Sequence, residues 1–125
     1  MFWHLATARW EIAHGQLLHE DVFSSTVRGE PYGIGEWLGQ LVFGGAWLTG
    51  GWGALVLVRS LLIAFGAFWM ARLALRTPGV RALVAGTVVL LALLVGNVSF
   101  VDRPLLFTFA LFPLTLELLY RVREG

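Results

Sequence analysis

The chain has no cysteine and no lysine among its 125 residues. Without cysteine there is no disulfide frame, no thiolate metal site and no sulfur nucleophile. Without lysine, arginine supplies all nine of the Lys and Arg positions, which reads as a GC-rich coding bias and points to a bacterial source. Charge of either sign is scarce. Charged residues make up 14% of the chain against 58% hydrophobic ones, and the mean hydropathy is +0.76. Soluble domains carry roughly a quarter charged residues and just under half apolar ones. The net charge of +1 and the lack of a clustered basic footprint exclude a nucleic-acid partner. The start does not read as a signal peptide, because Met1-Phe2-Trp3-His4 is not basic and no apolar run follows it.

Residues 1–35 hold Arg9, Glu11, Glu20, Asp21, Arg28, Glu30 and all three histidines. Trp3, Ala6, Trp10, Ala13 and Leu17 recur at spacings of three and four, which predicts an amphipathic helix over residues 2–14. His4, Arg9 and Glu11 fall off that stripe, and Gly15 takes the position that ends the helix. Ser24-Ser25-Thr26 and Arg28-Gly29-Glu30-Pro31-Tyr32-Gly33 read as loop. Residues 35–49 are apolar but stop at Gly50-Gly51. That is shorter than the ~20 residues a bilayer crossing needs, so an in-plane or half-inserted helix is expected, with Trp37, Trp47 and Trp52 at headgroup level. A single crossing over residues 37–58 is the alternative. Three longer runs follow, over about 52–75, 82–98 and 104–120. Arg59 and Arg72 interrupt the first, none of the second is charged, and Pro113 lies mid-way along the third, where it is expected to bend the helix.

The charges set a topology. Arg72, Arg76 and Arg81 cluster where the first run ends, and Arg121 and Arg123 follow the third. Three crossings put both clusters on one side, which is cytoplasmic by the positive-inside rule. The expected architecture is therefore all-α, a polytopic membrane helix bundle of about three transmembrane helices in residues 52–125. Residues 1–51 form an extracytoplasmic, partly amphipathic segment at the inner membrane. Its partners are the lipid bilayer and other membrane helices, which Gly66, Ala67, Ala85, Gly86 and Gly96 would let approach closely.

Few residues offer chemistry, and none is assigned as catalytic. Asp102-Arg103-Pro104 either marks the membrane boundary or lets Arg103 bind a phosphate, with Pro104 suited to open a helix. Arg59 sits about 10 Å into the first run and either snorkels, joins an ion pair or faces a ligand. Glu117 can pair with Arg121 at the i, i+4 spacing. The outer-segment histidines and acids raise a divalent-metal reading. However, no two histidines stand at i, i+4, His19-Glu20-Asp21 point apart, and His4 and His14 differ by about 80° round a helix. Neither a metal nor another cofactor is called for, and there is no phosphate loop or nucleophile elbow.

One resemblance goes further. Trp3-His4-Leu5-Ala6-Thr7-Ala8-Arg9-Trp10, His14-Gly15, Glu20-Asp21-Val22-Phe23-Ser24, Gly29-Glu30-Pro31-Tyr32 and Glu36-Trp37-Leu38 follow one another in order. This order resembles the first outer loop of bacterial multi-spanning proteins related to the GT-C glycosyltransferases, and Arg59 and Arg103-Pro104 fit later positions of the group. Ala8 stands where the group usually has Gly, Val22 where it has Pro and Tyr32 where it has Trp. The resemblance implies transfer of a sugar from a polyprenyl-phosphate carrier. Arg59 and Arg103 would be the cations on the donor phosphate, and Glu20, Asp21 and Glu36 the available carboxylates. The group's catalytic acid lies at the start of this loop, after a first membrane helix, and neither is present here. The chain is therefore expected to be a piece of such a protein, inactive alone. A non-enzymatic helix-bundle subunit or scaffold is the alternative.

Overall fold

The computed structural model describes residues 2–33, 35–96 and 105–124, and the side chains of residues 3–33, 35–96 and 105–123. The Asp102-Arg103-Pro104 connection lies outside them. Among the described residues the fold is helical, in the order α1 (Phe2–His14), α2 (Trp37–Arg76), α3 (Ala82–Gly96) and α4 (Leu105–Glu124). Among the described residues the only pairing of extended backbone is an isolated antiparallel bridge between Glu20 and Pro31. The chain divides into two compact units, Met1–Val56 and Leu57–Gly125.

In the N-terminal unit α1 ends where the sequence predicts. Gly15 takes a φ of 64° and its amide donates to the Glu11 carbonyl at 2.8 Å, a left-handed cap that glycine adopts without a steric cost. The face that α1 buries is not the predicted stripe. Thr7, Ala8 and Glu11 are buried, whereas Trp3 is 42% exposed and Ala13 lies open. The reason is close approach. A Cβ at Gly44 would collide with that of Ala8, so the two backbones pack through their smallest residues rather than their largest. The segment after α1 is an ordered loop. Asp21 N donates to Glu30 O, Gly29 N to Asp21 O and Tyr32 N to His19 O, at 2.7–2.9 Å.

Helix α2 carries the expected interruption in a tighter form. Gly50 (φ −146°, ψ 15°) and Gly51 (φ 56°, ψ −140°) break the helical backbone, and the helix resumes directly at residue 52. Residues 37–49 and 52–76 are thus separate helical segments joined by two glycines and no loop. Gly51 has the positive φ that a side chain would strain.

In the C-terminal unit Thr77-Pro78-Gly79-Val80 forms a tight turn. Val80 N donates to Thr77 O at 3.1 Å, and Gly79 at the third position has φ 84°, with proline at the second, as a type II turn requires. Two contacts fix how α2 and α4 run. Gly66 packs on Phe109, and Arg76 meets Glu117 further along both helices. Both numbers increase together, so residues 57–76 and α4 are parallel and the chain between them must return. Helix α4 continues through Pro113. Proline lacks the N–H that would bond the Phe109 carbonyl, and that oxygen lies 3.1 Å from where a Gly66 Cβ would stand. The small residue at position 66 lets the two helix axes approach closely at this point.

Trp37–Arg76 and Leu105–Arg123 are long and apolar enough to cross a membrane. The described part of α3 has 15 residues, about 22 Å at 1.5 Å per residue, and is shorter than a crossing needs. Its last two expected residues, Asn97 and Val98, lie outside the described residues.

Candidate functional site

Within the N-terminal unit the residues that carry the resemblance come together. The Trp3 indole N–H donates to the Tyr32 hydroxyl at 2.6 Å, and Thr7 Oγ1 lies 3.4 Å from the same oxygen. Phe23 packs edge-on to Trp3, with ring centroids 5.2 Å apart. His4 Nδ1 is 3.1 Å from Gln40 Nε2 and 4.0 Å from a Glu36 oxygen. Tryptophan and tyrosine bury a large apolar body but need a partner for one polar atom, and here each satisfies the other. These contacts pin the loop to α1.

The candidate carboxylates fare differently. Asp21 is consumed by its own loop. Its Oδ1 accepts from the amides of Phe23 and Ser24, both at 2.8 Å, and its Oδ2 accepts from the Ser24 hydroxyl at 2.7 Å. The hydroxyl first, then the amides, hold the carboxyl below its ordinary value of 3.8. A carboxylate whose charged form is stabilised in this way is a poor general base. Glu20 is exposed beside its bridge to Pro31. The Glu36 side chain is 51% exposed at the end of its contact with His4. Glu11, which the helical stripe excluded, is instead 4% exposed, with Oε1 accepting from Leu18 N at 3.1 Å. Among the described residues no partner reaches its Oε2. Nor does any cluster of three or more His, Asp or Glu side chains suited to a metal occur among them. His14 stacks on Trp10 at 4.1 Å, away from such a role.

The strongest electrostatic feature lies in the C-terminal unit. Glu117 is fully buried, and three guanidinium groups converge on its Oε1. Arg76 stands at 2.7 Å, Arg121 at 3.0 Å and Arg72 at 3.4 Å. The Arg121 contact is the i, i+4 pair that the sequence predicts. Arg72 and Arg76 arrive from α2, 45 and 41 residues earlier. Arg72 also lies 5.6 Å from the centroid of the Trp69 ring, within cation–π range. A buried carboxylate needs such charged partners, because removing them would strand an ion away from water. The cluster adjoins a cleft of about 640 Å³ lined by Phe68, Ala71, Arg72, Leu75 and Arg76.

Of the two cations put forward for a donor phosphate, Arg59 is half-buried in α2 and Arg103 lies outside the described residues. Sequence reasoning missed Glu11 and the pairing of Arg72 and Arg76 with Glu117. The only signal for the latter was the expected topology, which put both arginine clusters on one side. Comparison with protein families, curated proteins and solved structures finds no match for this chain.

Proposed function

We propose that this chain is a multi-pass helical protein of the bacterial inner membrane, the membrane-anchored piece of a GT-C-type glycosyltransferase-like protein, and that it does not transfer sugar alone. The observation that carries the membrane part is the bare apolar surface of the helices. Leu57, Leu61 and Phe68 of α2, and Leu105, Phe112 and Leu119 of α4, are each at least 57% exposed. In α3 the exposure of Leu83 and Val95 exceeds 80%, and Ala85 is the buried residue. Water does not tolerate a continuous apolar surface of this extent, whereas lipid solvates it. In this reading residues 1–51 face the extracytoplasmic side and the arginine cluster at Glu117 faces the cytoplasm.

The sugar-transfer part rests on the resemblance of residues 3–38. Lack of activity in isolation is supported by the condition of the candidate carboxylates, since Asp21 is committed to its turn and Glu20 and Glu36 are exposed. The second reading, a non-enzymatic helix-bundle subunit, is favoured by the packing of the N-terminal unit, because every motif contact described has a structural use.

The absence of cysteine makes sidedness directly testable. Single Ser25→Cys and Arg123→Cys variants carry no background thiol. An impermeant maleimide added to intact spheroplasts should label the first and spare the second, and the reverse pattern would overturn the orientation. Purified in detergent and given a polyprenyl-phosphate-linked sugar with an acceptor lipid, the chain should yield no glycosylated product. Turnover above a protein-free control would contradict the claim of inactivity.

A further inference from the structure

We infer that the cleft beside the Arg72–Arg76–Arg121 cluster binds the headgroup of an anionic phospholipid from the cytoplasmic leaflet. The inference rests on the membrane reading above. Three features of this end of the C-terminal unit carry it. The first is charge. Arg72, Arg76, Arg81, Arg121 and Arg123 stand at this end against Glu117 and Glu124, so positive charge exceeds negative by three. The second is geometry. Arg76 makes the shortest contact with Glu117 Oε1, while Arg72 and Arg121 reach the same oxygen from further out, with side chains 48% and 51% exposed. A guanidinium has five N–H donors, so each of these two retains donors for a second anion. The third is shape. Phe68, Ala71, Arg72, Leu75 and Arg76 follow at spacings that place them on one helical face. The lining of the cleft thus interleaves apolar side chains, Phe68, Ala71 and Leu75, with the cationic Arg72 and Arg76 on one face. A phosphodiester would sit against Arg72 and the outer edge of the cluster, with the acyl chain along Phe68, Ala71 and Leu75. Basic pockets at the cytoplasmic ends of membrane helices bind anionic headgroups for this reason, each arginine near the surface contributing about 1 kcal/mol.

The test uses the full chain in detergent, titrated with dioleoylphosphatidylglycerol, with dioleoylphosphatidylcholine or with inorganic phosphate. Native mass spectrometry reads retained lipid, and thermal unfolding reads stabilisation. Phosphatidylglycerol should be retained and should raise the unfolding midpoint, while the other two should do neither. Arg72→Gln should weaken phosphatidylglycerol binding about fivefold, the loss of roughly one arginine's share. Arg72→Lys, which keeps a charge but loses the planar fork, should fall between. Arg76 is left in place so that Glu117 keeps its nearest partner. Equal retention of phosphatidylcholine, a matching effect of inorganic phosphate, or undiminished binding by Arg72→Gln would each overturn the inference. A chain that inserts in membranes without lipid preference refutes this inference alone. One that stays in the aqueous phase refutes the membrane reading with it.

Discussion

At the residue scale, ionisable groups in this chain serve the fold. Asp21 closes a turn with three hydrogen bonds, and those bonds lower its pKa. A carboxyl depressed in the folded state adds stability that is present above its ordinary value of 3.8 and is lost as pH falls through the lower folded value. The loop over residues 19–32 should therefore loosen below about pH 4, which amide exchange at Phe23 and Ser24 would report. Asp21→Ala should loosen it at neutral pH, with faster proteolysis between residues 22 and 30. Unchanged protection in both experiments would dissociate Asp21 from the turn. Glu117 makes a sharper case. Glu117→Gln leaves three guanidinium groups around a neutral amide, whereas Arg72→Gln leaves the carboxylate with Arg76 and Arg121. Breaking a buried ion cluster at its single centre costs more than trimming its edge. The unfolding midpoint in detergent should drop by several degrees for Glu117→Gln and by much less for Arg72→Gln.

At the element scale, glycine explains both what was legible and what was not. Gly15 was readable because a positive φ at a helix end is a local requirement. The break at Gly50-Gly51 was readable as an interruption, but its tightness was not, since two glycines permit many paths. The buried face of α1 was misread for a related reason. Periodicity weights large residues, and this helix approaches its neighbour through Ala8 against Gly44. The pairing of α2 with α4 has the same basis. A Cβ at Gly66 would lie 2.7 Å from Phe109 Cε1, whereas one at Gly86 would meet nothing within 4 Å. Gly66→Leu should therefore destabilise the C-terminal unit by roughly 1–3 kcal/mol, the usual cost of overpacking. Gly86→Leu should be neutral or slightly stabilising, because leucine is the better helix former. Thermal unfolding of both variants in one detergent would check this, and equal effects would contradict the packing.

At the scale of the whole molecule, composition alone implied helices in lipid, and the structure adds how little of their surface the chain itself covers. The parallel course of residues 57–76 and α4 follows from contacts 43 and 41 residues apart in sequence, which no local pattern encodes. The arginine distribution nonetheless anticipated it, because a charge cluster at the end of two separate runs implies an even number of reversals between them. The candidate site was far less legible. Arg103 lies outside the described residues, Asp21 is committed elsewhere, and the buried Glu11 was hidden by its neighbours on the stripe. Lipid solvation of α2, α3 and α4 underlies the topology, the sidedness and the lipid site alike. Expression in bacteria followed by an alkaline carbonate wash of the membranes measures this directly. The chain should remain in the pellet and enter solution only with detergent. Its release into the wash as a monodisperse, helical species would contradict the account.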